Sequence, residues 1–228
     1  WFWSDGMIRV SGREYNGLIE SPCFESKDAH RAKMSCMSCH RMHQEKTDPR
    51  TRKEWANDQL GLGMETNRAC VQCHDQYQDA ERVAAHTHHA SGSGGSLCYN
   101  CHMPHTTYGL MKAMRSHQVD SPSVKASLET GRPNACNQCH LDKTLDWTAE
   151  HLSDWYKIPK PKLSKDEREI AASVLWLLRG FFGFITSLFG GSRVVSGLLI
   201  RLFRSCFGIV SGFQGCFGVV LRVFLRCI

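Results

Sequence analysis

Apolar residues recur with a helical period over only a small part of this chain. Leu145, Ala149, Leu152 and Trp155 fall on one helical face and predict a helix from Leu145 to Tyr156. Lys157-Ile158-Pro159-Lys160-Pro161-Lys162 then reads as a short extended linker. Ser164-Lys165-Asp166-Glu167 has the form of a capping box, with Ser at the N-cap and Glu three residues later. It opens a second predicted helix with Ile170, Val174, Leu177 and Leu178 on one side. Residues 1–22 carry short strand or turn character, with Asp5-Gly6 and Ser11-Gly12 as turn signals and Trp1-Phe2-Trp3 entering a short hairpin. From about 23 to 142 there is little apolar periodicity, and Ser91-Gly92-Ser93-Gly94-Gly95-Ser96 reads as a flexible turn.

The pattern changes abruptly after Arg179-Gly180. From Ile170 to Ile228 there is no Asp, Glu, Lys, His, Asn, Pro or Tyr, and nine of the eleven Phe lie there with Cys206, Cys216 and Cys227. The longest charge-free run, Ser205 to Leu221, is 17 residues and is broken by Gly208, Gly212, Gly215 and Gly218. That is the lower edge of the ~17–25 residues a membrane helix needs, and Arg interrupts every other stretch. Three readings stay open: an out-of-frame translation, membrane-associated helices, and a buried or oligomer-forming helical tail. Function is therefore sought before residue 181.

The region without periodicity is rich in one motif. Cys-x-x-Cys-His occurs four times, as Cys36–His40, Cys70–His74, Cys98–His102 and Cys136–His140. The cysteines are Cys36, Cys39, Cys70, Cys73, Cys98, Cys101, Cys136 and Cys139; the histidines are His40, His74, His102 and His140. Two thiols on one helical turn can add to the vinyl groups of a haem, and the adjacent His reaches the iron as proximal ligand. Structural zinc explains paired cysteines but does not require a His after every second one. A disulfide framework does not favour the repeated spacing. The expectation is four covalently bound haem c groups, whose faces supply the core that the polypeptide lacks.

Four haems present eight axial positions, and eight further histidines are available: His30, His43, His86, His88, His89, His105, His117 and His151. The surplus points to bis-His ligation. His43 and His105 each follow a motif His by three residues, too close to bind the opposite face of the same haem but suited to a neighbouring one. His86, His88 and His89 precede the third motif, and His117 stands alone in a polar stretch. His43, His89, His105 and His117 are the expected distal ligands, with His86 and His88 as alternates; His30 and His151 fit surface or propionate-contacting roles better. Cys23 reads as a buried, inert thiol.

The formal charge of +6 does not mark a nucleic-acid binder. All 22 acidic residues lie at or before Glu169 with 22 of the 28 Lys and Arg, so the excess is Arg179, Arg193, Arg201, Arg204, Arg222 and Arg226. No basic face with interleaved aromatics is visible. Covalent haem implies export to a periplasmic or extracellular location, yet the chain opens at Trp1 with no signal-peptide pattern, which suggests a mature product or a piece truncated at its N-terminus.

Cys98-Tyr99-Asn100-Cys101-His102-Met103-Pro104, Thr106-Thr107-Tyr108, Ser116-His117 and Pro133-Asn134-Ala135-Cys136-Asn137-Gln138-Cys139-His140 with Asp142-Lys143 and Trp147 resemble the doubled-CXXCH multihaem cytochromes. The resemblance covers roughly residues 8 to 179 and ends after Gly180, where relatives continue with charge-bearing amphipathic helices. It implies distal ligands at His43, in the His86/His88/His89 cluster and at His117, and an electron-carrying role. The expected fold is mainly α with much irregular loop, organised around stacked haems, with a short N-terminal hairpin and C-terminal helices. Residues 1–158 form the tetrahaem domain, 159–180 a linker and the start of a helical region, and 181–228 the hydrophobic tail. The expected function is electron transfer along bis-His haems between a periplasmic or membrane donor and a downstream acceptor. Its partners are redox proteins, with self-association into a haem chain and membrane attachment through the tail as further possibilities. The alternatives are an oxidoreductase with one open haem acting on a small nitrogen or sulfur compound, and a subunit of a conductive filament. No Cys-x-x-Cys-Lys motif, Ser-His-Asp order or phosphate loop is present.

Overall fold

The structure, a computed structural model, describes residues 2–7, 9, 14–24, 34–107 and 113–179. His30, the Ser11-Gly12 turn signal and the 181–228 tail lie outside them. The described part is mainly helical with much irregular loop and one small sheet. The helices are α1 (Glu14–Ile19), α2 (Arg52–Ala56), α3 (Arg68–Val71), α4 (Ala80–Thr87), α5 (Cys98–His102), α6 (Val124–Thr130), α7 (Ala135–Cys139), α8 (Leu145–Tyr156) and α9 (Lys165–Glu169). Strands β1 (His105–Thr107) and β2 (Ala113–Arg115) pair antiparallel, His105 opposite Arg115.

Helix α8 has the bounds its periodicity predicts. The Thr144 side chain accepts from Trp147 N–H at its start, and Lys157 ends it in the left-handed conformation, φ 59°. Leu145, Ala149 and Leu152 are buried on one face. The capping box forms as well: the Ser164 and Glu167 side chains each bond the other's backbone N–H. The helix it opens is shorter than predicted. Ile170 is extended, Ala171 pairs with Thr144 in an antiparallel bridge, and Ala172 N–H donates to Lys143 O at 2.9 Å. Helix resumes over 172–179. Its buried apolar residues are Ala172 and Leu175, whereas Leu177 is 72% exposed. A tertiary bridge thus overrides a continuous helical pattern.

The Asp5-Gly6 signal does form a turn, with Trp3 N–H donating to Met7 O at 2.8 Å and Gly6 at φ 87°. Beyond it, α1 occupies residues expected to be strand or turn, and the described strand pair lies at 105–115 instead.

Two compact units divide the chain, Trp1–Ser173 and Val174–Ile228; of the second, 174–179 are described and are helical. Among the described residues no helix is long and apolar enough to cross a membrane. The apolar core of the first unit is small. Between 34 and 107 the buried apolar side chains are Trp55, Met64 and Val83, while Leu145, Ala149, Leu152 and Ala172 gather around α8. The motif-bearing region folds with little core of its own.

Candidate functional site

Each Cys-x-x-Cys-His copy folds as a tight helical turn. The first is a short 3-10 turn at Cys36–Ser38, the second runs from the end of α3, and the third and fourth are α5 and α7. In the first, second and fourth copies the motif His N–H donates to the first Cys carbonyl, at 2.9, 3.0 and 2.9 Å. Residues three apart on such a turn lie side by side, so both thiols of a copy share one face. The eight motif cysteines are all thiols, none in a disulfide. Among the described residues no group of three or more His, Cys, Asp or Glu could hold a metal ion.

Three pairs of imidazoles face each other. His40 and His117 have ring centres 6.2 Å apart, His86 and His102 6.2 Å, and His89 and His140 6.0 Å, with interplanar angles of 24°, 5° and 39°. A metal–imidazole bond is about 2 Å and a ring centre lies about 1 Å behind its Nε2, so two imidazoles trans across one metal have centres about 6 Å apart. Each pair joins one motif His to one His outside the motifs.

Four of these rings are held in a defined tautomer. Nδ1 of His40 donates to Asp58 O (2.9 Å), Nδ1 of His102 to Asp120 O (2.9 Å), Nδ1 of His89 to Thr87 O (2.6 Å) and Nδ1 of His117 to Arg115 O (3.2 Å). A carbonyl can only accept, so Nδ1 carries the proton and Nε2 keeps its lone pair. Burial pushes the His117 and His86 pKa down, with His40 adding to the effect at His117 and His102 and His88 at His86. This favours the neutral, metal-binding form.

The four turns follow one another in space in their chain order. Gln72 Nε2, inside the second motif, donates to Ser38 O of the first at 3.2 Å. Asn67 donates to Ser96 O and accepts from Cys98 N–H, joining the second copy to the third. Gln138 Nε2, inside the fourth, donates to His105 O just after the third. The thiols report the same adjacency. Cys70 S–H bonds Cys98, which pushes Cys70 up and draws Cys98 down to about 7. Burial raises Cys136 to about 11, with Cys101 next in effect.

Of the expected distal residues, His89 and His117 stand opposite motif imidazoles, and of the alternates His86 does. His88 stacks instead on Trp155. His43 and His105 are exposed and, like His74, face no second imidazole at this spacing among the described residues. His151 lies in an aromatic cluster, 4.2 Å from Trp147 and 4.8 Å from Trp155.

Sequence reasoning passed over the residues that brace these rings. Arg115 donates to the Tyr99 and Met103 carbonyls and to Asn100 Oδ1, and lies 4.1 Å from the Tyr99 ring centre, fastening α5. Arg132 pairs with Asp5 and Asp120, the latter's carbonyl holding His102. Ser21 bonds the His117 carbonyl. The middle positions of the motifs, Gln72 and Gln138, offered a signal, being amides of fixed spacing; Arg115, Arg132 and Ser21 had none in a single chain.

Comparison with protein-family models, with curated proteins and with solved structures found no match.

Proposed function

We propose that this chain is an exported tetrahaem c-type cytochrome of the doubled-CXXCH kind, passing electrons along closely spaced bis-His haems between redox partner proteins. The observation that carries the reading is the coincidence of motif and geometry. Three of four motif histidines have a second imidazole at the separation one iron would fill, and in four of the six rings Nδ1 carries the proton, leaving Nε2 its lone pair.

On this reading the eight motif cysteines hold haem by thioether bonds and His40, His74, His102 and His140 are proximal ligands. His117, His86 and His89 are the distal partners of His40, His102 and His140. A haem iron supplies one-electron transfer without exchange of atoms. The chain sets the conditions for it. At three of the four motifs the paired imidazoles would hold the group, and the Nδ1–H···O=C bonds at His40, His89, His102 and His117 would make those rings better donors, favouring the oxidised state. Hydrogen bonds join successive motif turns, which supports a path that runs in motif order.

Pyridine haemochrome of the denatured protein should give four haems per chain that acid–acetone does not extract. Two or fewer, or stoichiometric zinc, would sink the reading. Electron paramagnetic resonance of the oxidised protein should show low-spin ferric signals, and a full-occupancy high-spin haem binding nitrite or hydroxylamine would favour the open-haem enzyme instead.

A further inference from the structure

The segment His86-Thr87-His88-His89 serves two sites at once. His86 faces His102 of the third motif and His89 faces His140 of the fourth. Residues three apart on a continuing helix would point the same way. Here α4 stops at Thr87, and His88 takes the left-handed conformation, φ 56° and ψ 29°. That reverses the backbone and sends His89 away from the face that carries His86. A non-glycine residue takes this conformation at some cost even at a helix end, so neighbouring contacts can select it over the alternatives.

The last turn of α8 supplies such contacts. The Trp155 ring stacks on His88, centres 4.0 Å apart and planes 13° from parallel. The Tyr156 hydroxyl donates to the His86 carbonyl, and its ring lies 5.6 Å from that of His86. The His89 ring lies over Gly95, where an added Cβ would sit 2.1 Å from its Cδ2. At its other end the same helix sets Trp147 against His140, ring centres 5.0 Å apart. Thus α8, anchored by its buried Leu145, Ala149 and Leu152, touches both the His140 side and the His86–His89 arm of these two centres.

We propose that Trp155 and Tyr156 are positioning residues: they lock the left-handed turn at His88, so that one four-residue segment delivers distal imidazoles to the third and fourth haems together. The two haems then behave as a coupled unit, because a single backbone disturbance reaches both. This rests on reading the motifs as haem sites. Both aromatic residues lie outside the four Cys-x-x-Cys-His motifs, so their variants keep every attachment sequence intact.

The test uses the full haem-loaded chain and reads haemochrome count, low-spin resonance signals and carbon monoxide binding to the reduced protein. Trp155→Leu should retain four haems, broaden two low-spin signals and open two haems to carbon monoxide. Trp155→Phe, which keeps a stacking ring, should restore the parent spectrum. Tyr156→Phe, which deletes the hydroxyl bonded to the His86 carbonyl, should perturb the same two haems more weakly. Trp155→Leu with parent signals and no carbon monoxide binding overturns the positioning role. If in that case His86→Ala and His89→Ala each open one haem, ligation stands and only the positioning fails. If those two variants open none, the ligand reading itself fails. Should Trp155→Leu not accumulate, Tyr156→Phe decides, and an unchanged spectrum at both haems overturns the proposal.

Discussion

Substituting Gly17 in α1 separates helix propensity from the fit of that helix against the His117 loop. A Cβ at Gly17 would meet Gln118 N at 2.8 Å and His117 C at 3.2 Å, backbone atoms that cannot swing away. In an isolated helix Gly→Ala stabilises by up to ~1 kcal/mol. Overpacking against backbone costs ~1–3 kcal/mol, so the balance should be unfavourable by about 1 kcal/mol. The displaced element is the one bearing His117, whose ring faces His40. Neighbouring Ser21 accepts from Val119 N–H at 2.8 Å and shares its one hydroxyl proton between the Gly17 and His117 carbonyls, each at 3.1 Å. Ser21 is fully buried, so Ser21→Ala leaves the Val119 N–H without its partner and should cost ~1–3 kcal/mol. Guanidinium melts followed by far-UV circular dichroism measure the stability, and carbon monoxide binding to the reduced protein reads whether His117 has been lost from the haem proposed for it. Both variants should lower the midpoint and open one haem. A Gly17→Ala protein that is more stable than the parent and silent to carbon monoxide would refute the account, since propensity alone would then explain it.

Other consequences are as direct. Thr148→Val removes the donor at 2.8 Å to Asn137 Oδ1 inside a fully buried pair; the orphaned amide should cost ~1–3 kcal/mol in a denaturant melt, and an unchanged midpoint would refute it. Leu145→Ala, at a fully buried position, should cost ~2–5 kcal/mol. The Asp48 carboxyl is held below its usual pKa chiefly by the Arg50 guanidinium, which also donates to Leu60 O. A depressed acid stabilises the fold above its unfolded pKa and loses that contribution as pH falls through the folded value. The difference between parent and Asp48→Asn melts should therefore be constant at neutral pH and shrink below pH about 4. His89→Ala should open the haem of the fourth motif alone, read as one equivalent of carbon monoxide per chain.

Local signals gave the local structure. The Leu145–Tyr156 stripe and the Ser164–Glu167 box each specify backbone within a turn or two, and both elements start where those residues place them. The helix after Ser164 departed from its pattern because Ala171 finds a partner in Thr144, which no periodicity can display. The same limit governs the site. Four motif turns were legible because spacing encodes them, but pairing of imidazoles depends on residues distant in sequence, such as His40 and His117. His86 stood among the alternates because nothing in the run His86-Thr87-His88-His89 shows that the helix will reverse at its third residue. That reversal depends on Trp155 and Tyr156, some 70 residues further on.

These distant pairings also bear on how so little buried apolar surface can hold 34–140 in place. Hydrogen bonds between successive turns are individually worth about 1 kcal/mol net and do not replace a core. Each iron shared by a motif His and a distal His would join segments that are otherwise independent, His117 to the first turn, His86 to the third and His89 to the fourth. Closing such long loops once, in a bound state, removes the entropy that the free chain would otherwise recover on opening. Ligation and thioether attachment on this view supply the long-range order that helices α3, α5 and α7, of four or five residues each, are too short to generate. Among the described helices α8 is the longest and carries a buried apolar face, and it is the element placed against the third and fourth sites.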